Sequence, residues 1–143
     1  MKIITSLLLL SLLGGCMATP PKSAPVCYHR NEAAETSTGF CQAVRSGNTL
    51  HVSGITGQGE MPAAVRSVYE RLKLTLEANG LTFANVVKEN VYTTDIDSLV
   101  KAKDVRKEFY GQTFPAATWV QVQRLFSPAY VIEVELTAEY PAK

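Results

Sequence analysis

Residues 49–80, TLHVSGITGQGEMPAAVRSVYERLKLTLEANG, change their hydrophobic period once, and that change sets the fold class. In Thr49-Leu50-His51-Val52-Ser53 apolar and polar residues alternate strictly, so Leu50 and Val52 share one face and Thr49, His51 and Ser53 the other. A period of two marks a half-buried strand. Past Pro62, the apolar residues Val65, Val68, Tyr69, Leu72 and Leu76 recur at i, i+3, i+4, i+7 and i+11, and Asn79-Gly80 ends the run. Proline suits a first helical turn and Asn-Gly a stop, so an amphipathic helix follows the strand. Gly54, Gly57 and Gly59 in between predict a flexible loop. Their spacing is not a phosphate-binding fingerprint, and no Gly-Lys-Ser/Thr accompanies them.

Upstream, a first strand is expected at 26–30, then a polar stretch rich in Glu, Ala, Thr and Ser, then a strand at 40–45. Ser46-Gly47-Asn48 joins the latter to residues 49–53 as a hairpin. Downstream, residues 85–94 read as a strand. Asp97 or Ser98 caps a second helix with Leu99, Ala102, Val105 and Phe109 inward, closed by Gly111. Strands at 118–123 and 131–138 complete the order ββ(β)αβαββ. The expected fold is thus α+β, a single domain with a six-stranded sheet and two helices on one face. The other face would carry Thr49, His51, Ser53, Trp119, Gln121, Gln123, Glu133 and Glu135. A Trp and two carboxylates on a bare sheet point to self-association with pockets at the seams. Lys101, Lys103, Arg106 and Lys107 read as the solvated side of the second helix.

The amino terminus reads as export information. After Lys2, the apolar run through Leu13 is too short to span a bilayer, which takes about 20 residues. It is a signal h-region. Leu13-Gly14-Gly15-Cys16 resembles the lipobox of bacterial lipoproteins, which makes 1–15 a signal peptide and Cys16 the lipidated first residue of the mature chain. Met17 at the next position, where an Asp would mark retention, implies the periplasmic face of the outer membrane. Residues 16–25, rich in Pro and small residues, form the anchor and tether, and 26–143 the domain. An ordinary secreted protein cleaved near Ala18 is the alternative.

With Lys2 removed, 13 basic residues face 13 acidic ones, a balance that argues against a nucleic-acid partner. Cys27 and Cys41 are an even pair in an exported chain and allow a disulfide; the alternatives are two buried thiols or a metal site including His29. No metal is expected, because Cys-x-His without a second close pair is not a recognised zinc arrangement.

Four segments in order carry a family likeness: Val52-Ser53-Gly54 after a hairpin, Phe114-Pro115-Ala116 before a strand, Val120-Gln121-Val122-Gln123-Arg124-Leu125, and Ile132-Glu133-Val134-Glu135. Together they resemble the Rid family (YjgF/RidA-like, reactive intermediate deaminase) over essentially the whole mature domain. The resemblance implies a chorismate-mutase-like fold and a homotrimer with its sheets in a central barrel. It also implies a small-molecule ligand in each of three intersubunit clefts, where enamines and imines are hydrolysed to keto acids and ammonia without cofactor or metal.

Carried over residue by residue, the resemblance puts the catalytic-water glutamate on Glu133 and the cleft serine on Ser53. The family's tyrosine falls on Phe40, which lacks the hydroxyl, and its substrate-binding arginine on Ala117. A guanidinium there would give a carboxylate two charge-assisted hydrogen bonds of about 1.5–3 kcal/mol each. An alanine methyl gives none. Trp119 stands where amino-acid-deaminating members carry a small cysteine, on the same side as Ala117. A cleft lined by Phe40, Ala117 and Trp119 suits a neutral or aromatic ligand. Two readings stay open: a lipoprotein that hydrolyses imines with Glu133-held water, or a non-catalytic ligand-binding or interaction trimer. His51 alone is no constellation, and with no Gly-x-Ser-x-Gly elbow Ser53 is no hydrolase nucleophile.

Overall fold

A computed structural model describes residues 24–142 of the chain. The leader 1–15, Cys16 and most of the tether lie outside the described residues. Among the described residues no helix is long and apolar enough to cross a membrane.

The elements run β1 (Val26–Tyr28), α1 (Glu32–Thr38), β2 (Ala43–Ser46), β3 (Thr49–Gln58), α2 (Met61–Ala78), a short 3-10 turn (Phe83–Asn85), β4 (Val86–Thr93), α3 (Ile96–Lys101), α4 (Lys103–Tyr110), β5 (Ala116–Gln121) and β6 (Tyr130–Glu139). One six-stranded sheet has the order β1-β2-β3-β6-β4-β5, with β4 and β5 parallel and every other pair antiparallel. The α+β class, the strand count and the helix-covered face are as the sequence implies.

The apolar stripe of α2 lies against β3 and β6: Val65, Val68, Tyr69, Leu72 and Leu76 are buried, as are Leu50, Val52, Ile132, Val134, Leu136 and Ala138 beneath them. Burial of each such large side chain stabilises the fold by about 1.5–3 kcal/mol.

Four expectations are corrected. The glycine-rich segment is not a loop: β3 continues to Gln58, its backbone held by pairing with β6. Gly57 is required there because a Cβ would stand 2.9 Å from the Ala64 carbonyl oxygen and from methyls of Val68 and Ile132. Gly57→Ala is expected to cost about 1–3 kcal/mol by overpacking, read in urea denaturation, since the backbone carbonyl cannot step aside. The polar stretch after β1 is helix α1, opened by Asn31 Oδ1 accepting from the Ala34 N–H and stopped by Gly39 at φ 85°. The second helix is two, α3 and α4, meeting at Ala102, and its cap is Asp95, whose carboxylate accepts from the Ser98 N–H at 3.0 Å.

The fourth correction concerns the open face. β5 lies beside β4 with Glu89 opposite Ala117, Val91 opposite Trp119 and Thr93 opposite Gln121. Glu89, Val91 and Thr93 are buried under the helices, so Ala117, Trp119 and Gln121 share that side. Thr118 and Val120 take the open side, where the Lys88 ammonium donates to Thr118 Oγ1 at 2.7 Å. The sequence offers Val120 and Val122 as an inward apolar face of this strand, but Val120 is exposed, and the parity follows instead from pairing with the neighbouring strand.

Candidate functional site

The pairing of β3 with β6 slips by one residue between Val52 and Ile55. This bulge swells β3 at Ser53-Gly54 and lets Leu50 and Val52 before it, and Ile55 after it, all face the core. Bulges of this kind re-aim side chains beside functional sites. Here the result is that Ser53, Gly54 and Thr56 line the open side together with Glu133, which is paired with Thr56.

A groove of about 430 Å³ opens there, walled by Thr38, Phe40, Ser53, Gly54, Thr56, Phe126, Tyr130 and Glu133. Ser53 is fixed from both ends: its N–H donates to the Gln42 carbonyl at 3.0 Å and its hydroxyl to the Cys41 carbonyl at 2.7 Å. The same bonds draw the end of α1, and Phe40 with it, to the groove. The Glu133 carboxylate lies over Gly54 so closely that a Cβ at that position would collide with it. Among the described residues it accepts no hydrogen bond. Burial, and then the neighbouring Glu135 carboxylate, push its pKa above the ordinary glutamate value. Glu135 itself is engaged, accepting from Asn90 Nδ2 at 2.7 Å and the Tyr92 hydroxyl at 3.1 Å. The groove thus presents one unengaged, partly desolvated carboxylate among aromatic walls, fit to hold a water and move its proton.

Gly54 makes a clean test of that geometry. In Gly54→Ala the atoms nearest the new methyl all belong to the Glu133 side chain, which can swing aside, so the melting temperature should stay within a few degrees of wild type. Any reaction that depends on the carboxylate should be lost with it.

The comparisons agree with this architecture. The family model described as Endoribonuclease L-PSP matches residues 30–140. The chain belongs to that family. Among relatives, it is 33% identical over 108 residues to a RutC family protein of Pyrococcus horikoshii, covering 69% of this chain and 85% of the relative. It is 31% identical over 105 residues to a 2-iminobutanoate/2-iminopropanoate deaminase of Dermatophagoides farinae, covering 67% and 81%. A crystal structure of a YjgF/YER057c/UK114 family member from Mycobacterium tuberculosis superposes with a TM-score of 0.75 at 29% identity, covering 82% of this chain and 100% of that one.

Of the site residues that the Rid resemblance implies, the structure gathers Phe40, Ser53 and Glu133 into the groove of one chain. It does not bring Ala117 and Trp119 there. Trp119 is turned to the helix side, where its Nε1 donates to Glu89 Oε1 at 3.2 Å. It therefore packs against the core instead of walling this groove. Ala117 is exposed on the edge strand β5. His51 lies in a separate hollow of about 140 Å³ with Lys88, Asn90 and Glu135. Another hollow, of about 550 Å³ between α2 and α4, is lined by charges such as Arg66 and Glu108, which pair with each other at 2.8 Å.

Sequence reasoning missed Glu89, which is 0 % exposed. It takes four donors: Arg106 Nε at 2.7 Å, the hydroxyls of Tyr69 at 2.8 Å and Tyr110 at 2.6 Å, and the Trp119 indole. Arg106, expected on a solvated helix face, is buried and stacks over the Tyr110 ring at 4.6 Å. Burial disfavours its charge, but Glu89 more than offsets this and its pKa rises. Burial and then Glu89 likewise raise both tyrosines. This network anchors α2, α4 and β5 to β4 and stands apart from the groove.

The remaining cysteines meet at the other edge of the sheet. Cys27 of β1 and Cys41 before β2 are joined as a disulfide, with Cα atoms 5.6 Å apart.

Proposed function

We propose that the chain is a lipid-anchored protein of the cell envelope, held at the periplasmic face of the outer membrane through Cys16, that assembles as a homotrimer and hydrolyses neutral imines and enamines in clefts between subunits. Glu133 is the catalytic residue; Phe40 and Ser53 from one copy, with the exposed Ala117 from the edge strand of a neighbour, complete the substrate-binding surface. The observation that carries the reading is the unengaged Glu133 carboxylate lying over Gly54 in an aromatic groove. Relatives named as deaminases support the reaction class. Exposed apolar residues around the groove and the β5 edge, Phe40, Phe114, Val120 and Phe126, support a partner copy that covers them.

In the reaction, water held by Glu133 adds its oxygen to the imine carbon while the carboxylate takes its proton. That proton passes to nitrogen to give the carbinolamine; the carboxylate then carries the carbinolamine's hydroxyl proton to the same nitrogen as the carbon–nitrogen bond breaks, and a carbonyl compound and ammonia leave. With Ala117 in the place of a guanidinium, no cation clamps a substrate carboxylate, so the aromatic walls select a neutral substrate.

The test is ammonia release from imines made in situ, one neutral and one carrying an α-carboxylate. Wild type should favour the neutral imine, and Ala117→Arg should move the preference toward the carboxylate. The active form is ionised Glu133, so kcat/KM should rise with pH through a value above the usual carboxylate range. Glu135→Gln, which removes a neighbouring negative charge, should move that limb to lower pH. Light scattering tests the trimer. The absence of turnover on every imine, in a sample of three copies that still binds aromatic amines, would favour the non-catalytic ligand-binding reading suggested by the lost guanidinium and tyrosine hydroxyl.

A further inference from the structure

Around the Cys27–Cys41 disulfide is a set of groups the groove does not use. His29 follows Cys27 by two residues and presents Nε2 3.0 Å from Cys27 Sγ. Its other nitrogen, Nδ1, lies 2.7 Å from Glu35 Oε2. The Glu35 side chain is held in turn, 4 % exposed, accepting from the N–H groups of Arg30 at 3.1 Å, Asn31 at 2.8 Å and Gln42 at 3.1 Å. An ionised carboxylate only accepts, so Nδ1 carries a proton, and in the neutral imidazole that leaves the Nε2 lone pair facing sulfur. The two sulfurs and this nitrogen lie within 4.8 Å of one another.

We propose that, once the disulfide is opened, Cys27, Cys41 and His29 form a Cys2His site for a thiophilic divalent cation such as zinc, with Glu35 as the carboxylate that orients the imidazole. Zinc–sulfur and zinc–nitrogen bonds of about 2.3 and 2.0 Å place tetrahedral ligand atoms some 3.5–3.8 Å apart, within reach of this cluster. Ligating histidines characteristically donate their second nitrogen to a carboxylate. A disulfide alone requires neither the imidazole nor its orientation. Cys27 is exposed, which leaves a fourth coordination position open to water. The Cys-x-His spacing reads as incomplete in the sequence because the third ligand arrives from beyond α1.

Opening takes two electrons and two protons from a thiol reductant: two thiols become one external disulfide, the Cys27–Cys41 bond breaks, and each cysteine sulfur gains a proton. Zinc then displaces both thiol protons. Occupancy is therefore set by redox state, and the oxidised form is closed to the ion.

The purified chain, reduced under nitrogen, freed of reductant and titrated with Zn²⁺ against a chromophoric chelator, should bind one equivalent, while the oxidised chain binds none at this site. Co²⁺ should give the thiolate charge-transfer absorption of a two-sulfur site. His29→Asn and Glu35→Gln should each weaken Zn²⁺ by about 10–100-fold. The His29→Asn variant keeps both cysteines, so its disulfide and circular dichroism report that it is folded before reduction. No uptake by the reduced wild type, or equal affinity in His29→Asn, would overturn the proposal.

Discussion

Ammonia release from a neutral imine is expected to fall about 10²–10⁴-fold in Glu133→Gln, the range lost when a positioned acid–base group is removed. Glutamine keeps the shape of the side chain over Gly54 and can still bond a water, but it cannot take the proton as oxygen attacks carbon. The loss should appear in kcat with KM little changed, because the aromatic walls that bind substrate are untouched. Stability should move the other way. The folded-state pKa of Glu133 lies above its unfolded value, so the fold prefers the protonated form, and that contribution is lost as pH rises through the folded value. Glutamine mimics the neutral acid at every pH. The variant should therefore unfold no earlier than wild type in urea near neutrality, and the gap between them should narrow in acid. Loss of activity together with loss of stability would mean that Glu133 is a structural residue.

The largest effect on stability is expected from Glu89→Leu, a loss of at least about 3–5 kcal/mol. It removes the single acceptor shared by Arg106, Tyr69, Tyr110 and Trp119 and leaves a buried guanidinium without its counter-charge. Arg106→Met should cost less, because the three neutral donors stay on the carboxylate and the methionine stem still fills the space over the Tyr110 ring. The two effects should be strongly non-additive in a double-mutant cycle read by urea denaturation. Equal, additive and small effects would mean that the pair is not buried as described.

The parts of this fold that were legible in the sequence are those where one physical signal acts alone. The α2 stripe and the alternation in β3 and β6 follow from hydrophobic burial, which acts on every residue of the element. The misreadings fall where polar contacts decide. α1 has no apolar face; its caps, Asn31 and Gly39, could have revealed it, but what secures it is the inward Glu35 carboxylate. The strand parity of Trp119 could not be read from β5 alone, and Glu89 sits in a strand whose neighbours Lys88 and Asn90 look equally hydrophilic. The bulge that carries Ser53 and Gly54 to Glu133 is a register event between strands about 80 residues apart in the chain, which single-strand periodicity does not encode.

Trp119 is the chain's only tryptophan. Its indole is half-hidden, bonded to a carboxylate and 5.6 Å from a guanidinium, while the strand that carries it lies at a free edge of the sheet. Its fluorescence is consequently a built-in gauge with two dials. Emission wavelength follows melting of the interior, and accessibility to a neutral quencher such as acrylamide follows whether another protein molecule is seated along that edge, both without any attached dye.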